Sequence, residues 1–394
     1  MTPKVSRQFS FFKLFFYLVL IEIVIGGSGR MIEFGPLSFK MVLFGISLVL
    51  TFFNLRKLKF DKYLLFFEFF FIFSILFSFS VGALNFSSTE NIFEDLKPLL
   101  FILMINFFLI AIDGIKTINN VIRIIKYFSL FMAIIYIIFV ILLFMNIINF
   151  STFYEQQSEI GEILFRNQYM VFYKGFLYLG VGFLFLAVSQ KRTDKIYSII
   201  VFVALCLTLT RGFILMAAAV YGFYIFFVNK KASVKILVSA ITIGLLIYLL
   251  PIMFNVLGDK SESDIVRIIT FHQVTDEINL LSFFIGHGFG HGVEARPIHM
   301  EISYLEIFHK QGILGLFFWF YVLYIVFKYY FSIKNQQFKR MALPFLLSVC
   351  FTFLQSLTNP YINNPIGISI CMLSIAVLYR LNVIECEMQT QYFL

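Results

Sequence analysis

Apolar residues run along this chain in long blocks, with neither the strict alternation of a half-buried strand nor the single stripe of a soluble helix. The blocks cover roughly 11–27, 36–53, 63–84, 98–112, 127–149, 169–189, 196–210, 213–228, 236–254, 312–331, 341–357 and 365–380. Each approaches the roughly 20 residues that carry a helix across hydrocarbon. The pattern predicts an all-α, polytopic membrane protein with about 12 transmembrane helices. Polar positions gather in one long connection, so three parts are expected: 1–254 with helices 1–9, a large outward loop at 255–311 containing short helices, and 312–394 with helices 10–12 and a cytoplasmic tail.

Composition agrees with this pattern. The 394 residues are 60% hydrophobic and only 13% charged, with 56 Phe, whereas soluble domains carry about 25% charged residues. An ordinary soluble protein is excluded, and chemistry is left to loops or to the space between helices. Cys206, Cys350, Cys371 and Cys386 are scattered without metal-type spacing and read as packing residues.

Alternate connections carry the cations: Lys4, Arg7 and Lys13; Arg56, Lys57, Lys59 and Lys62; Lys116, Arg123 and Lys126; Lys191, Arg192 and Lys195; Lys230, Lys231 and Lys235; Lys328, Lys334, Lys339 and Arg340; and Arg380. Of the 31 basic residues 21 fall on this side, which the positive-inside rule makes cytoplasmic, with both termini inside. The opposite side holds 15 of the 22 acids, including Glu90, Glu94, Asp95, Glu155, Glu159 and Glu162. The net charge of +9 is therefore an orientation signal and not a nucleic-acid footprint. The first apolar stretch reads as a retained helix, because Glu22 interrupts it and no A-x-A-like cleavage site follows. Glu22, Glu68 and Lys174 are ionisable groups inside predicted spans, with mutual pairing as one outcome.

The long outward connection holds all five histidines, His272, His287, His291, His299 and His309, with Arg267, Arg296, Glu294, Glu301 and Glu306. A simple link between helices needs only a handful of residues, so this titratable content marks a candidate site. Residues 261–281 have the pattern of an amphipathic helix capped by Ser261 or Ser263, with Ile265, Ile268, Ile269 and His272 on a face suited to the membrane surface. Gly286, Gly288, Gly290 and Gly292 then break the helix. His287 and His291 are spaced for a metal only if helical, and the glycines argue against that, so no metal site is expected.

A second helix is predicted from Pro297 to Gly312. At about 100° per residue it sets His299 and Glu301 on opposite faces. It also makes Glu306 and Lys310 a surface i,i+4 ion pair.

Arg211 follows an apolar run, 196–210, whose rise of about 22 Å falls short of the roughly 30 Å hydrocarbon. That places Arg211 at the outer interface, where its planar fork suits the phosphates of a lipid diphosphate or serves as a snorkelling anchor. Arg166, on the same side, either joins it or pairs with Glu162.

These features in this order resemble the O-antigen polymerases of the polymerase and ligase superfamily. The motifs are the helix start Thr210, Arg211, Gly212; an arginine at 267 in an amphipathic helix; a G-x-G-like element at Gly286, Gly288 and Gly290; and Glu301, Tyr304, Leu305, Gly312 and Gly315 in E-x-x-Y-L-x6-G-x-x-G spacing. They cover roughly 200–320, and the remainder agrees only in topology. The resemblance implies a glycosyltransferase of the bacterial inner membrane that joins undecaprenyl-diphosphate-linked oligosaccharides at the periplasmic face. It implies no cofactor, metal or nucleotide sugar, and membrane lipid and a chain-length regulator as partners. Ligase relatives carry a histidine where this chain has Glu301, which disfavours a ligase; a transporter would need charges along several helices.

Glycosyl transfer from a lipid diphosphate needs cations for the departing charge and a base for the acceptor hydroxyl. The candidate catalytic residues are therefore Arg211 with Glu301 or His299. The candidate substrate-binding residues are Arg267, Arg296, Arg166, His287 and Tyr304.

Overall fold

The computed structural model describes residues 11–30, 32–34, 37–158, 160–166, 168–228 and 261–392. The predicted ninth span at 236–254, and with it Lys4, Arg7, Glu159, Lys230, Lys231 and Lys235, lies outside the described residues.

The elements in order are α1 Phe11–Ile25, β1 Glu33–Phe34, β2 Leu37–Ser38, α2 Phe39–Phe53, α3 Lys62–Leu84, α4 Thr89–Leu99, α5 Met104–Ala111, α6 Ile115–Phe144, α7 Phe150–Ser158, β3 Ile163–Phe165, β4 Val171–Tyr173, α8 Leu177–Ala187, α9 Arg192–Leu207 and α10 Arg211–Val228. After them come α11 Ser261–Glu277, α12 Leu280–Ile285, α13 Ser303–Ser332, α14 Gln336–Gln355 and α15 Pro365–Tyr392. The described strands form two short antiparallel hairpins, β1 with β2 and β3 with β4.

Among the described residues five helices, α3, α6, α13, α14 and α15, are long and apolar enough to cross a membrane, and shorter apolar helices lie at Phe39–Phe53, Lys174–Ala187 and Arg211–Phe226. The predicted blocks are thus of unequal kind. Block 98–112 is divided into the end of α4, a 3-10 turn at Leu100–Leu103 and α5. Pro98 sits in the last turn of α4, where its missing N–H weakens the ladder. Block 169–189 opens as strand β4 and a 3-10 turn before α8 begins.

Helix α8 is buried along its whole length and lies against α6, α9, α10 and α14. Helix α15 packs against α5, α13 and α14. Outward faces of the long helices stay apolar, as with Phe66, Phe69 and Phe73 on α3 and Ile134, Ile138 and Ile141 on α6. Surface of that kind is stable where lipid replaces water.

Glu22 and Glu68 do not pair with each other; each finds another partner inside the bundle. Glu22 pairs with the buried Lys40 at 3.7 Å, and Glu68 accepts from Asn106 Nδ2 at 3.0 Å. Lys40 gave no signal in the sequence beyond its position in an apolar block.

The segment before α13 differs from expectation. No helix starts at Pro297; the chain stays irregular through 302, and α13 begins at Ser303. Gly312 then kinks α13 with φ 62° and ψ −157°. A Cβ there would lie 2.5 Å from the backbone of Phe284, so the kink admits the close approach of α12.

Candidate functional site

Two groups of charged side chains meet on the segment that runs from α11 to the start of α13. The first centres on Glu301. Arg267 reaches it from α11, Nε to Oε2 at 2.6 Å, and Arg296 from the preceding turn, Nη2 to Oε1 at 2.5 Å. One carboxylate thus holds two guanidinium groups in fixed orientation. All three side chains are about one-third exposed or less (33%, 28% and 36% for Arg267, Glu301 and Arg296), and they line a shallow pocket with Thr270, Met300 and Leu305.

Arg166 belongs to the same neighbourhood. Its guanidinium lies 5.5 Å from the centre of the Phe172 ring. Burial pulls it below the ordinary arginine value, nearby Arg267 adds to that, and Tyr361 and Glu301 offset it. The alternative pairing with Glu162 does not form: Glu162 is fully buried and accepts from Ser28 and from the backbone N–H of Arg30 at 2.9 Å.

Arg211 opens α10. The next two residues fix its surroundings, because Gly212 lies against Gln355 and Thr358 while the Phe213 ring meets Phe172 at 5.4 Å and Tyr361 at 5.6 Å. Phe172 is the ring beneath Arg166. The turn 355–364 also holds the start of α13, since Ser303 N–H donates to Ser356 O at 3.2 Å and Ser303 Oγ to Asn363 Oδ1 at 2.9 Å. One platform therefore supports Arg211, Arg166 and the chain carrying Glu301. Leu209, two residues before Arg211, has φ 49°, a strained conformation for a non-glycine residue.

The second group centres on Lys310. Its ammonium meets Asp95 Oδ1 at 2.7 Å and Glu306 Oε1 at 2.7 Å, and it also donates to Ile298 O. Asn363 Nδ2 donates to Glu306 Oε2 at 2.6 Å, and Gly290 N–H donates to Asp95 Oδ2 at 2.7 Å. The expected surface ion pair of Glu306 and Lys310 is instead buried, at 5% and 3% exposure. Asp95, which arrives from α4, accounts for the difference: the glycine turn and α13 both fold onto that helix, through Gly290 and Lys310.

His299 sits at the edge of this network. Its Nδ1 faces Glu306 Oε1 at 3.3 Å and Asp95 Oδ1 at 3.6 Å, while its side chain is half exposed. Two carboxylates thus face one ammonium, and burial pushes the Asp95 carboxyl up, with Lys310 offsetting part of that. The predicted opposition of His299 and Glu301 across a helix does not arise, because neither residue is helical.

Of the remaining candidates, the Tyr304 hydroxyl donates to Phe353 O at 2.8 Å and ties α13 to α14. His287 lies in a separate cluster with His291 and His309.

No protein-family model matches the chain. A curated O-antigen polymerase of Shigella flexneri is 30% identical over 366 residues, covering 91% of this chain and 92% of that protein. The chain belongs to the O-antigen polymerase family.

As an O-antigen polymerase it is a multi-pass membrane protein and an enzyme of the glycosyltransferase type. The family likeness extends well beyond the 200–320 stretch that carries the motifs. The ligase and transporter readings are not favoured.

Sequence reasoning about this O-antigen polymerase missed Asn363 and the buried setting of Asp95 and Lys310. One signal was present: residues 358–365 read TNPYINNP, a polar turn just before the last apolar block, with more amide side chains than a simple link needs.

Proposed function

We propose that this O-antigen polymerase lengthens a lipid-linked glycan on the periplasmic face of the inner membrane, its two end segments lying on the cytoplasmic side. The growing chain leaves its undecaprenyl diphosphate and passes to a hydroxyl at the non-reducing end of a new undecaprenyl-diphosphate-linked repeat unit. The single observation that carries this reading is the half-exposed His299, backed by two buried carboxylates and only two residues from a carboxylate that grips two guanidinium groups.

The chemistry follows from the charges. His299 accepts the proton of the acceptor hydroxyl, its Nδ1 facing the carboxyl groups of Asp95 and Glu306. The freed oxygen attacks the anomeric carbon of the donor, and the bond from that carbon to the phosphate oxygen breaks. Negative charge then develops on the departing diphosphate, where Arg211, Arg166, Arg267 and Arg296 supply compensating charge. Glu301 orients Arg267 and Arg296 in this scheme and is not the base. The guanidinium groups take the place of a metal ion in the chemical step. Arg211 at the first turn of α10 is poorly placed for structure alone, because a helix N-terminus disfavours a cation. An anion bound there is favoured by guanidinium and helix together.

A strain lacking its own polymerase, complemented with Arg211→Ala or His299→Ala, provides the test. Lipopolysaccharide with a single repeat and no ladder is expected from each variant when the protein is present in the membrane. A wild-type ladder from either variant overturns the assignment, and accumulation of unattached polymer would point to ligation instead.

A further inference from the structure

The glycine-rich turn brings three histidines against one carboxylate. His287 and His291 stack with ring centres 4.8 Å apart, and His309 lies 4.8 Å from His287 and 5.4 Å from His291. Glu277, the last residue of α11, presents Oε2 to His291 Nε2 at 3.2 Å and to His309 Nε2 at 3.6 Å. Ligand atoms of Glu277, His287 and His291 all lie within 4.8 Å of one another.

A second observation is independent of the clustering. His309 is 2% exposed, and neither of its ring nitrogens has a hydrogen-bond partner among the described residues. The Nε2 of His287 is likewise buried without one among the described residues. Buried polar atoms are rarely left in that state, and an ion is one recognised way of satisfying them.

We propose that Glu277, His287, His291 and His309 form a binding site for a divalent transition metal, with Zn²⁺ the ion that best suits imidazole and carboxylate donors. Three imidazoles and a carboxylate are a recognised donor set for it. With Zn–N near 2.0–2.1 Å, a tetrahedral edge is about 3.3 Å, so the 4.8 Å spread of Glu277, His287 and His291 has to close by roughly 1.5 Å, and His309 moves in as the fourth donor. Glu277 and His291 are the more exposed pair, at 40% and 35%, and give the ion its entry path.

The four donors come from the end of α11, the glycine turn and the outer part of α13. Helix α11 also carries Arg267, ten residues before Glu277 and so about 15 Å away along the helix. The ion therefore lies apart from the sugar chemistry and clasps the arm that presents Arg267 to Glu301. Its presence does not depend on the base or cation roles proposed above.

The test uses the full chain without a polyhistidine tag, purified in detergent, stripped with chelator and titrated with Co²⁺. The visible d–d absorption of a tetrahedral Co²⁺ site is expected at one equivalent, with zinc displacing it and zinc raising the melting temperature. His291→Ala and Glu277→Gln, both partly exposed, are expected to weaken Co²⁺ binding by roughly a hundredfold, since even an outer-shell partner is worth up to that. Absence of Co²⁺ absorption in the folded wild-type chain overturns the proposal, as does a Co²⁺ spectrum unchanged in both variants. Loss of ladder formation with metal binding intact, or the reverse, separates this site from the proposed catalytic one.

Discussion

The Nδ1 of His299 lies 3.3 Å from Oε1 of Glu306, seven residues on, across the point where irregular chain becomes helix. The same oxygen of Glu306 receives Lys310, and Asp95 approaches both from α4. If His299 is the base, His299→Ala removes proton transfer, worth about 10²–10⁴-fold in rate. Radiolabelled repeat-unit transfer in membranes, compared at equal protein level, checks this.

Glu301 provides the contrast. Glu301→Gln keeps the shape but takes the charge away from Arg267 and Arg296, so it disorders the cations without removing a base. The expected result is a shortened or fainter ladder, weaker than wild type yet present, where His299→Ala leaves none. Equal and complete loss in both variants would return the base role to Glu301.

Arg211→Lys keeps a positive charge but loses the planar fork. If the fork grips a diphosphate, the lysine variant falls by about 10²-fold, the scale of losing one preorganised donor at a developing anion. Full activity in the lysine variant would reduce Arg211 to an anchor.

Lys310 holds two buried carboxylates together. Lys310→Met leaves Asp95 and Glu306 facing each other without a cation, a change that destabilises by about 3–5 kcal/mol. A lowered melting temperature in detergent, accompanied by reduced yield, is expected.

Gly288 has φ 85°, and an added Cβ would lie 2.0 Å from the backbone N of Gly82 on α3. Gly288→Ala therefore strains both the turn and the contact, at a loss of more than about 1 kcal/mol. The measurement is again thermal melting, and an unchanged value would mean that the turn can move away from α3. The glycines that break the helix also make room here for the chain's own backbone.

Much of this protein follows from one physical fact, that apolar blocks near 20 residues can be solvated only by lipid. Helical class, membrane residence and the concentration of polar residues in 255–311 are consequences of local composition, and local composition is readable residue by residue. Arg211 and Glu301 stand out in sequence because their motif spacing lies within single stretches of chain. What joins across distance was not readable. Asp95 meets Lys310 across 215 residues, and Glu277 meets His309 from a different helix. Helical periodicity separated His299 from Glu301 by assuming a helix that starts six residues later than Pro297 suggests. The glycines around His287 and His291 argued against a metal held from one helix, and the approach of Glu277 and His309 to that turn has no local signal in sequence. The tertiary structure alone decided which charges are buried together, because desolvation depends on what packs above a residue and not on its neighbours in sequence.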